Sequence, residues 1–326
     1  MTFPASTLLS HVFATGVRAR NALYTHRILH THRLEGAVIS IGNLCVGGSG
    51  KTPFTIALGE LLNARNIKFD ILSRGYGRKT KGVLDVDPSG SSQDFGDEPL
   101  LIANKLKIPV IVGEDRFQAG LAAEKKYGAD FHLLDDGFQH RALHRDYDIV
   151  LVTPDDSRDR LLPAGRLREP LIGLNRADAI ALMNGAAKES FPLDGKSVWQ
   201  VRRGIELQTI PPRPVAFCGI ARPQNFFAQL RTAGIELAAE AIYRDHHAYE
   251  EKDIQELLEV KKQSEATGFI TTEKDLINLG QYRAALEPLA VVRVKMKILD
   301  AANVVDTMLT VIEERRRGRE KISVTP

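Results

Sequence analysis

The sequence predicts an α/β fold made of two α/β/α sandwich domains, the N-terminal one a P-loop NTPase-type parallel sheet. Three observations lead to this prediction. Short apolar segments alternate with amphipathic segments, glycines and polar residues follow the apolar segments, and one of these loops has the composition of a phosphate-binding loop. The chain has 326 residues, which suffice for two domains. We expect a short β linker to join them.

The phosphate-binding loop is predicted at residues 45–52, between a strand at 38–41 and a helix at 53–63. Its glycines leave backbone N–H groups free to surround phosphate oxygens, Lys51 adds a positive charge, and Thr52 offers a hydroxyl to Mg²⁺. The consensus has glycine where this chain has Cys45, so a glycine-rich turn with an incidental lysine is the alternative. The predicted nucleotide-binding residues are Cys45, Val46, Gly47, Gly48, Ser49, Gly50, Lys51 and Thr52.

The alternation of strands and helices continues along the chain. In the first half, strands are predicted at 38–41, 69–72, 83–86, 110–112, 131–134 and 149–152, and helices at 53–63, 99–105 and 116–127. In the second half, strands are predicted at 179–183, 197–201, 215–218, 236–242, 268–271 and 289–294, and helices at 224–233, 251–263 and 301–316, with a frayed end from 315. The predicted domains are an N-terminal helix at 1–35, a P-loop domain at 36–172, a linker at 173–213 and a smaller domain at 214–326.

Bulk properties restrict the function. The net charge of +3 gives no ground for nucleic-acid binding, and two cysteines fit a reducing compartment. No uncharged apolar run is long enough to cross a bilayer, and no secretion signal is expected. The N-terminal helix has no acidic residue up to Leu34 and combines arginines with apolar positions such as Leu8 and Val12. It either lies in a membrane interface or packs on the domain with a solvated basic face.

Carboxylates follow predicted strands or precede predicted helices, and ligands bind at the carboxyl ends of parallel strands. Asp135 and Asp136 end a strand, as Mg²⁺-binding carboxylates do in P-loop proteins, although an ordinary acidic loop would look the same. Asp97 and Glu98 precede a helix and could simply cap it. As a functional pair, Asp97 would accept the proton of an attacking hydroxyl and Glu98 would lie near the metal.

Further polar loops are candidates for substrate contacts, each with a structural alternative. Arg74 lies in a basic turn, Gln139 and His140 follow the carboxylate pair, and either Arg166 or Arg168 could meet a phosphate. His246 and His247 lie in a polar segment without the further ligands that zinc requires. Residues 272–275 either line a polar site or cap a helix through Thr272.

These motifs, in this order, resemble the tetraacyldisaccharide 4′-kinase family of lipid A biosynthesis. The resemblance covers nearly the whole chain and rests on Gly42-Asn43 through Lys51-Thr52-Pro53, Ser73-Arg74-Gly75-Tyr76-Gly77, Gly96-Asp97-Glu98-Pro99, Asp135-Asp136-Gly137-Phe138-Gln139-His140, Leu161-Leu162-Pro163-Ala164-Gly165, Leu167-Arg168-Glu169-Pro170, Gly219-Ile220-Ala221, Asp245-His246-His247 and Thr271-Thr272-Glu273-Lys274-Asp275.

The resemblance implies a kinase that uses ATP and Mg²⁺ to phosphorylate the 4′-hydroxyl of tetraacyldisaccharide 1-phosphate, giving lipid IVA. It implies a cleft between two domains, with Asp97 as base and His246 supporting it. The implied metal ligands are Thr52, Glu98, Asp135 and Asp136, and the implied substrate contacts are Arg74, Gln139, His140 and Arg168. The enzyme would be peripheral, held by its N-terminal helix on the cytoplasmic face of a Gram-negative inner membrane.

A P-loop nucleotide switch or metallochaperone-type GTPase is the alternative from another functional class. Such proteins carry a base-specificity motif of the Asn-Lys-x-Asp kind. Residues 272–275 come closest to it, with Glu273 in place of asparagine. Affinity for ATP against GTP distinguishes the two hypotheses.

Overall fold

The computed structural model describes residues 5–323, so the outermost ends of the predicted N-terminal helix and of the C-terminal segment lie outside the described residues. In chain order the strands are β1 (Ala37–Asn43), β2 (Phe69–Ser73), β3 (Leu84–Asp85), β4 (Val110–Val112), β5 (Phe131–Asp135), β6 (Tyr147–Val152), β7 (Ala179–Met183), β8 (Ser197–Glu206), β9 (Pro214–Cys218), β10 (Ala239–Ile242), β11 (Gly268–Thr272) and β12 (Leu289–Ile298).

The α-helices alternate with these strands, which confirms the predicted α/β class. They are α1 (Ala5–Thr25), α2 (Lys51–Asn63), α3 (Ser92–Phe95), α4 (Asp97–Leu106), α5 (Arg116–Tyr127), α6 (Pro223–Thr232), α7 (Glu251–Gln263), α8 (Glu273–Leu279) and α9 (Ala301–Ser323). Short 3₁₀ helices occupy Pro154–Arg158, Leu171–Arg176, Lys188–Ser190 and Gly280–Leu286.

The chain forms two compact units. Unit 1 contains the described residues up to Arg74, Ile108–Arg203 and the residues from Met296 onward, and unit 2 contains Gly75–Lys107 and Gly204–Lys295. This division differs from the predicted boundaries, because residues 75–107 cluster with the second half of the chain. Helix α4 packs on α8, where Asn278 Nδ2 donates to Asp97 Oδ2 at 3.1 Å and Lys105 pairs with Glu273.

The sheet of unit 1 has the strand order β8-β7-β6-β1-β5-β2-β4, and the neighbouring strands of this unit are parallel. Strands β1 and β6 are buried along their whole length. Their near-continuous apolar sequence suits strands that helices cover on both faces. Strands β7 and β8, predicted as linker strands, are members of this sheet.

The sheet of unit 2 has the order β10-β9-β11-β12, again with parallel neighbours. Its core contains Phe217, Phe269 and Leu257, which are fully buried. The predicted strand at 236–242 begins only at Ala239, and the predicted strand at 83–86 is reduced to Leu84–Asp85.

Helix α9 corrects one prediction. The end expected to fray from Arg315 is helical to Ser323. Arg315 donates to the backbone oxygen of Asp146 at 2.7 Å and to Asp178 Oδ1 at 2.6 Å, and Arg319 pairs with Asp146. These tertiary contacts stabilise a charged helix end whose local sequence indicates no fixed structure.

Helix α1 packs on unit 1 and also exposes apolar side chains. Ser10 Oγ donates to the backbone oxygen of Leu161 at 2.9 Å, and Ala14 is buried. Leu8 and Val12 are each 66% exposed. Among the described residues, no helix has both the length and the apolar character needed to span a bilayer.

Candidate active site

The predicted phosphate loop follows β1 and leads into α2. Gly47 and Gly50 have left-handed backbone angles, with φ of 87° and 86°, which L-residues rarely adopt. Gly50 directly precedes α2, so Lys51 and Thr52 begin the helix. A helix N-terminus presents unpaired backbone N–H groups and favours an anion.

Asn43, the last residue of β1, organises this loop. Its buried amide donates to the backbone oxygen of Cys45 at 2.8 Å and to Ser49 Oγ at 2.7 Å. Its Oδ1 accepts a hydrogen bond from Lys51 Nζ at 3.1 Å. The sequence analysis did not assign Asn43 a functional role, although an amide at the end of an apolar strand was the available signal.

Asp135 and Asp136 lie beside the loop because β5 is the neighbour of β1, with Ile41 opposite Asp135. Asp135 accepts a hydrogen bond from Thr55 Oγ1 at 3.2 Å. Asp136 accepts two from Arg168, at 3.1 Å and 2.8 Å, and lies 3.6 Å from Lys51 Nζ. Burial alone would raise the pKa of Asp136, but the positive charges of Lys51, Arg168 and Arg116 hold it well below its usual range.

The donor set in unit 1 fits a magnesium ion of a nucleotide site. Within the described part of the chain, no three His, Cys, Asp or Glu side chains are grouped to hold a metal by themselves. Mg²⁺ at such sites takes one or two carboxylates and completes its shell with water and phosphate oxygens. Asp135, Asp136 and the buried hydroxyl-bearing residue Thr52 supply that chemistry, whereas Glu98 belongs to unit 2.

Arg116 is a basic residue of this region that the sequence analysis missed. It begins α5 and is 6% exposed. Burial and the neighbouring charge of Arg74 lower the pKa of Arg116, while Asp136 and Asp135 oppose that shift. In the sequence it resembled an ordinary helix start after the N-cap residue Asp115. Arg74 itself is exposed.

The predicted substrate contacts of unit 1 are held by the loop after β5. Gln139 Nε2 donates to the backbone oxygen of Asn43 at 2.9 Å and to Glu169 Oε1 at 2.8 Å. Burial and then the charge of Arg116 lower the pKa of His140 to about 4, so its imidazole is neutral at pH 7. Of the two candidate arginines, Arg168 contacts Asp136 and Asn43, whereas Arg166 pairs with Asp159.

Cys45, the departure from the consensus, is buried and hydrogen-bonded. Its Sγ donates to Asp156 Oδ1 at 2.9 Å. Burial and the neighbouring carboxylate of Asp156 raise the pKa of this thiol well above its usual range. Cys45 therefore anchors the start of the loop as a neutral thiol and has no nucleophilic character at pH 7.

Asp97 and His246 of unit 2 are in direct contact, 149 positions apart in the sequence. Asp97, 3% exposed, lies in the first turn of α4, and both of its carboxylate oxygens are 2.9 Å from His246 Nδ1. Burial would raise the pKa of Asp97, but the hydrogen bond from His246 and the charge of Lys274 lower it overall. The carboxylate is therefore ionised at neutral pH and can accept a proton.

His246 is fixed by its backbone as well as its ring. It is a non-glycine residue with a left-handed φ of 58°, and its N–H donates to the backbone oxygen of Gly219 at 3.2 Å. Burial lowers the pKa of its imidazole, but the hydrogen bond and charge of Asp97 reverse that effect and raise it overall. A strained conformation of this kind is typical of a functional position.

Helix α8 supplies two residues around this pair. Lys274 Nζ lies 3.2 Å from His246 Nε2, donates to Asp245 Oδ1 at 3.0 Å and lies 3.7 Å from Asp97 Oδ2. Asn278, one turn later, donates to Asp97. The sequence analysis placed Lys274 in a polar loop and missed Asn278, because the sequence does not identify the partner of a short helix.

Asp275 anchors this arrangement from the buried side. It accepts hydrogen bonds from the Gly219 N–H at 2.7 Å and from Tyr249 Oη at 2.9 Å. Thr272 Oγ1 accepts from the Asp275 N–H at 3.2 Å, which confirms the predicted helix cap. His247 turns away from His246 and contacts Asp253 Oδ2 at 2.8 Å.

The fold defines a class of protein, the P-loop-type enzymes of phosphoryl transfer, and this chain has a glycine-rich loop at the start of a helix, neighbouring carboxylates in unit 1 and a buried carboxylate in unit 2. The chain matches the family model for tetraacyldisaccharide-1-P 4′-kinase over residues 4–313. It therefore belongs to the tetraacyldisaccharide-1-P 4′-kinase family, and the predicted resemblance is confirmed.

Individual relatives of this chain carry the same family name. The chain is 48% identical over 318 residues to tetraacyldisaccharide 4′-kinase of Koribacter versatilis, covering 94% of this chain and 99% of that protein. It is 35% identical to the Geobacter metallireducens enzyme of the same name, with coverage of 90% and 93%. A crystal structure of LpxK from Aquifex aeolicus in complex with ATP superposes with a TM-score of 0.77 at 34% identity, covering 94% of this chain and 98% of that one.

Proposed function

We propose that this protein transfers the γ-phosphoryl group of ATP to the 4′-hydroxyl of tetraacyldisaccharide 1-phosphate, forming lipid IVA in lipid A biosynthesis. The observation that carries the proposal is the buried, ionised Asp97 held by His246 in a member of this kinase family. The test is ATP-dependent phosphorylation of the purified disaccharide 1-phosphate in detergent micelles. Folded protein that binds ATP but transfers no phosphate to this acceptor would disprove it.

Each unit has its own chemical role in this proposal. In unit 1, Lys51 and the N–H groups of the loop bind the phosphates of ATP. Arg168 binds the phosphoryl group that is transferred. Thr52, Asp135 and Asp136 would hold Mg²⁺, and when bound it would supply charge neutralisation to the phosphates. Arg74, Gln139 and His140 contact the acceptor or its phosphate.

In unit 2, Asp97 takes the proton of the attacking hydroxyl. His246 Nδ1 orients the carboxylate, and Asn278 satisfies its second oxygen. Phosphoryl transfer needs mainly positioning and charge neutralisation, so one oriented base is sufficient. The GTPase alternative is not favoured, because the chain matches the kinase family model and has Glu273 where a base-specificity motif has asparagine.

Lys274→Met is expected to lower kcat about tenfold, because the hydrogen bond between Lys274 Nζ and His246 Nε2, which holds the imidazole beside Asp97, is lost. The loss should act through His246, so Lys274→Met should have little further effect in a His246→Gln background. The measurement is kcat at saturating ATP for the two single variants and the double variant.

Lys252→Met is the control for this cycle, since Lys252 is an exposed lysine of unit 2 that pairs with the exposed Glu250 at 2.9 Å. It should retain wild-type kcat. Fully additive losses for Lys274 and His246 would show that Lys274 acts independently of the histidine.

We also propose that α1 holds the enzyme on the cytoplasmic face of the inner membrane of a Gram-negative bacterium, as a peripheral protein. The support is an exposed apolar stripe, Leu8, Val12 and Leu23, at helical spacing on a helix without acidic residues. Leu9 is exposed beside it. The acyl chains of the acceptor stay in the bilayer, so an enzyme bound at the bilayer surface has access to its sugar hydroxyl.

Leu9→Gln combined with Val12→Asn should weaken binding to anionic vesicles about tenfold or more, because two apolar side chains no longer enter the acyl boundary. The measurement is vesicle co-sedimentation. Leu121→Gln, at a 40% exposed leucine on α5, is the matched control and should bind as the wild type does. Equal binding by all three proteins would show that α1 is only a packed helix.

A further inference from the structure

Two arginines of unit 1, Arg20 and Arg141, both lie close to the aromatic ring of Tyr24. The guanidinium carbon of Arg141 lies 5.3 Å from the centre of the Tyr24 ring, and that of Arg20 lies 5.4 Å from it. Arg141 Nη1 donates to the backbone oxygen of Asn21 at 2.7 Å, and its Nη2 donates to Thr25 Oγ1 at 3.3 Å. Tyr24 therefore keeps two like charges close together through cation–π contacts.

Within the described residues, neither guanidinium has an ion pair or a hydrogen bond with a carboxylate. The hydrogen-bond acceptors of both arginines there are uncharged, the backbone oxygen of Gln139 at 3.1 Å being the one for Arg20. The next cations, Arg145 and Arg176, do have carboxylate partners, which are Asp148 and Glu169. The nearby carboxylate of Glu169, which favours the charged form of Arg141, is hydrogen-bonded to Arg176 instead, so the two guanidinium groups beside Tyr24 keep donors for an anion.

The ionisation of neighbouring groups agrees with an excess of positive charge. Burial, and then the charges of Arg176, Arg145 and Arg20, lower the pKa of Arg141 to about 10, although the charge of Glu169 opposes this shift. The depressed pKa of His140 has Arg145 and Arg20 among its causes, after burial and Arg116. An anion bound here would relieve this repulsion.

The arginine pair is connected to the phosphate loop by hydrogen bonds. Arg20 Nη2 donates to the Gln139 backbone oxygen, Gln139 Nε2 donates to the Asn43 backbone oxygen at 2.9 Å, and Lys51 Nζ donates to Asn43 Oδ1 at 3.1 Å. Arg20 also lies on α1, the helix with the exposed apolar stripe. The position suits the anionic group of a lipid.

We propose that Arg20 and Arg141 form a binding subsite for the phosphate ester of a lipid. Paired guanidinium groups recognise phosphate through charge-assisted hydrogen bonds. Two sources offer this chemistry: the 1-phosphate of the acceptor, an assignment that rests on the proposed function, and the phosphate of an anionic membrane lipid.

The test compares two acceptors in neutral detergent micelles, the tetraacyldisaccharide with and without its 1-phosphate. The wild type should prefer the phosphorylated acceptor by about 10- to 100-fold in kcat/KM, the worth of one or two charge-assisted hydrogen bonds. Arg20→Gln should reduce this preference about tenfold and leave kcat/KM for the unphosphorylated acceptor unchanged. Arg20 is exposed, so the variant should fold.

Arg18→Gln is the matched control, because it removes the same charge from an exposed position two residues earlier on α1. A parallel measurement compares the binding of all three proteins to phosphatidylcholine vesicles with and without phosphatidylglycerol. An unchanged acceptor preference, with weaker binding of Arg20→Gln alone to the anionic vesicles, would support the subsite with a lipid headgroup as ligand.

Wild-type behaviour of Arg20→Gln in both measurements would overturn the proposal, and so would equal losses in Arg20→Gln and Arg18→Gln. A wild type that phosphorylates neither acceptor would instead refute the proposed function. The vesicle comparison would then decide by itself whether the arginine pair binds a phosphate ester.

Discussion

Asp97→Asn is expected to lower kcat by about 10³-fold while the affinity for ATP stays within about twofold of the wild type. A positioned general base contributes about 10²- to 10⁴-fold to a rate, and the amide cannot accept the proton of the attacking hydroxyl. The loss falls on kcat because the carboxylate lies in unit 2 with His246, Lys274 and Asn278, whereas the phosphate loop lies in unit 1. The measurements are steady-state kinetics and ATP binding by titration calorimetry.

Asp94→Asn is the control for this variant. Asp94 is an exposed aspartate of α3, three residues before Asp97, and its carboxylate accepts a hydrogen bond from the nearby Ser91. Its substitution should leave kcat unchanged. If Asp97→Asn retains a wild-type kcat and an unchanged thermal unfolding midpoint, another group must accept the proton.

Lys51→Met is the second change with a large expected effect, a fall of kcat by about 10²- to 10³-fold together with weaker ATP binding. The lysine carries a positive charge at the start of α2, and removal of one such stabilising group from a phosphoryl-transfer or oxyanion site has effects of this size. Methionine keeps the apolar stem, so packing changes little. Kinetics as a function of ATP concentration would separate the effect on kcat from the effect on KM.

Removal of Lys51 also changes the surroundings of Asp136, which keeps its two hydrogen bonds from Arg168. The fold should therefore persist, and the unfolding midpoint should remain near that of the wild type. Lys125→Met, at an exposed lysine of α5, should leave both kinetic constants unchanged. Tight ATP binding and normal turnover by Lys51→Met would contradict the assignment of residues 45–52 as the phosphate-binding loop.

The chemistry that depends on neighbours in the sequence was predictable. The apolar strand β1, the left-handed glycines and Lys51 lie within fifteen consecutive residues, 37–51, and local spacing determines their positions at the strand end and the helix start. The same holds for Thr272 as the cap of α8, since a cap contacts an N–H two or three residues later. Family membership followed because such local motifs recur in a fixed order.

The grouping of distant elements was not predictable from the pattern. An apolar stripe shows that a helix buries one face. It does not identify the element that covers this face. Residues 75–107 follow the phosphate loop in sequence and yet belong to unit 2. The continuation of α9 beyond Arg315 likewise depends on Asp146 and Asp178, which are far away in the chain.

The sequence by itself determined the fold class, the family and the glycine-rich loop between β1 and α2, because each depends on a period or a motif within a few residues. Only the tertiary structure decided that Asp97 is ionised, since that requires His246, Lys274 and Asn278 around a buried carboxylate. Contacts across 149 positions form only when parallel sheets and their helices pack together, and single-residue propensities carry no record of that packing.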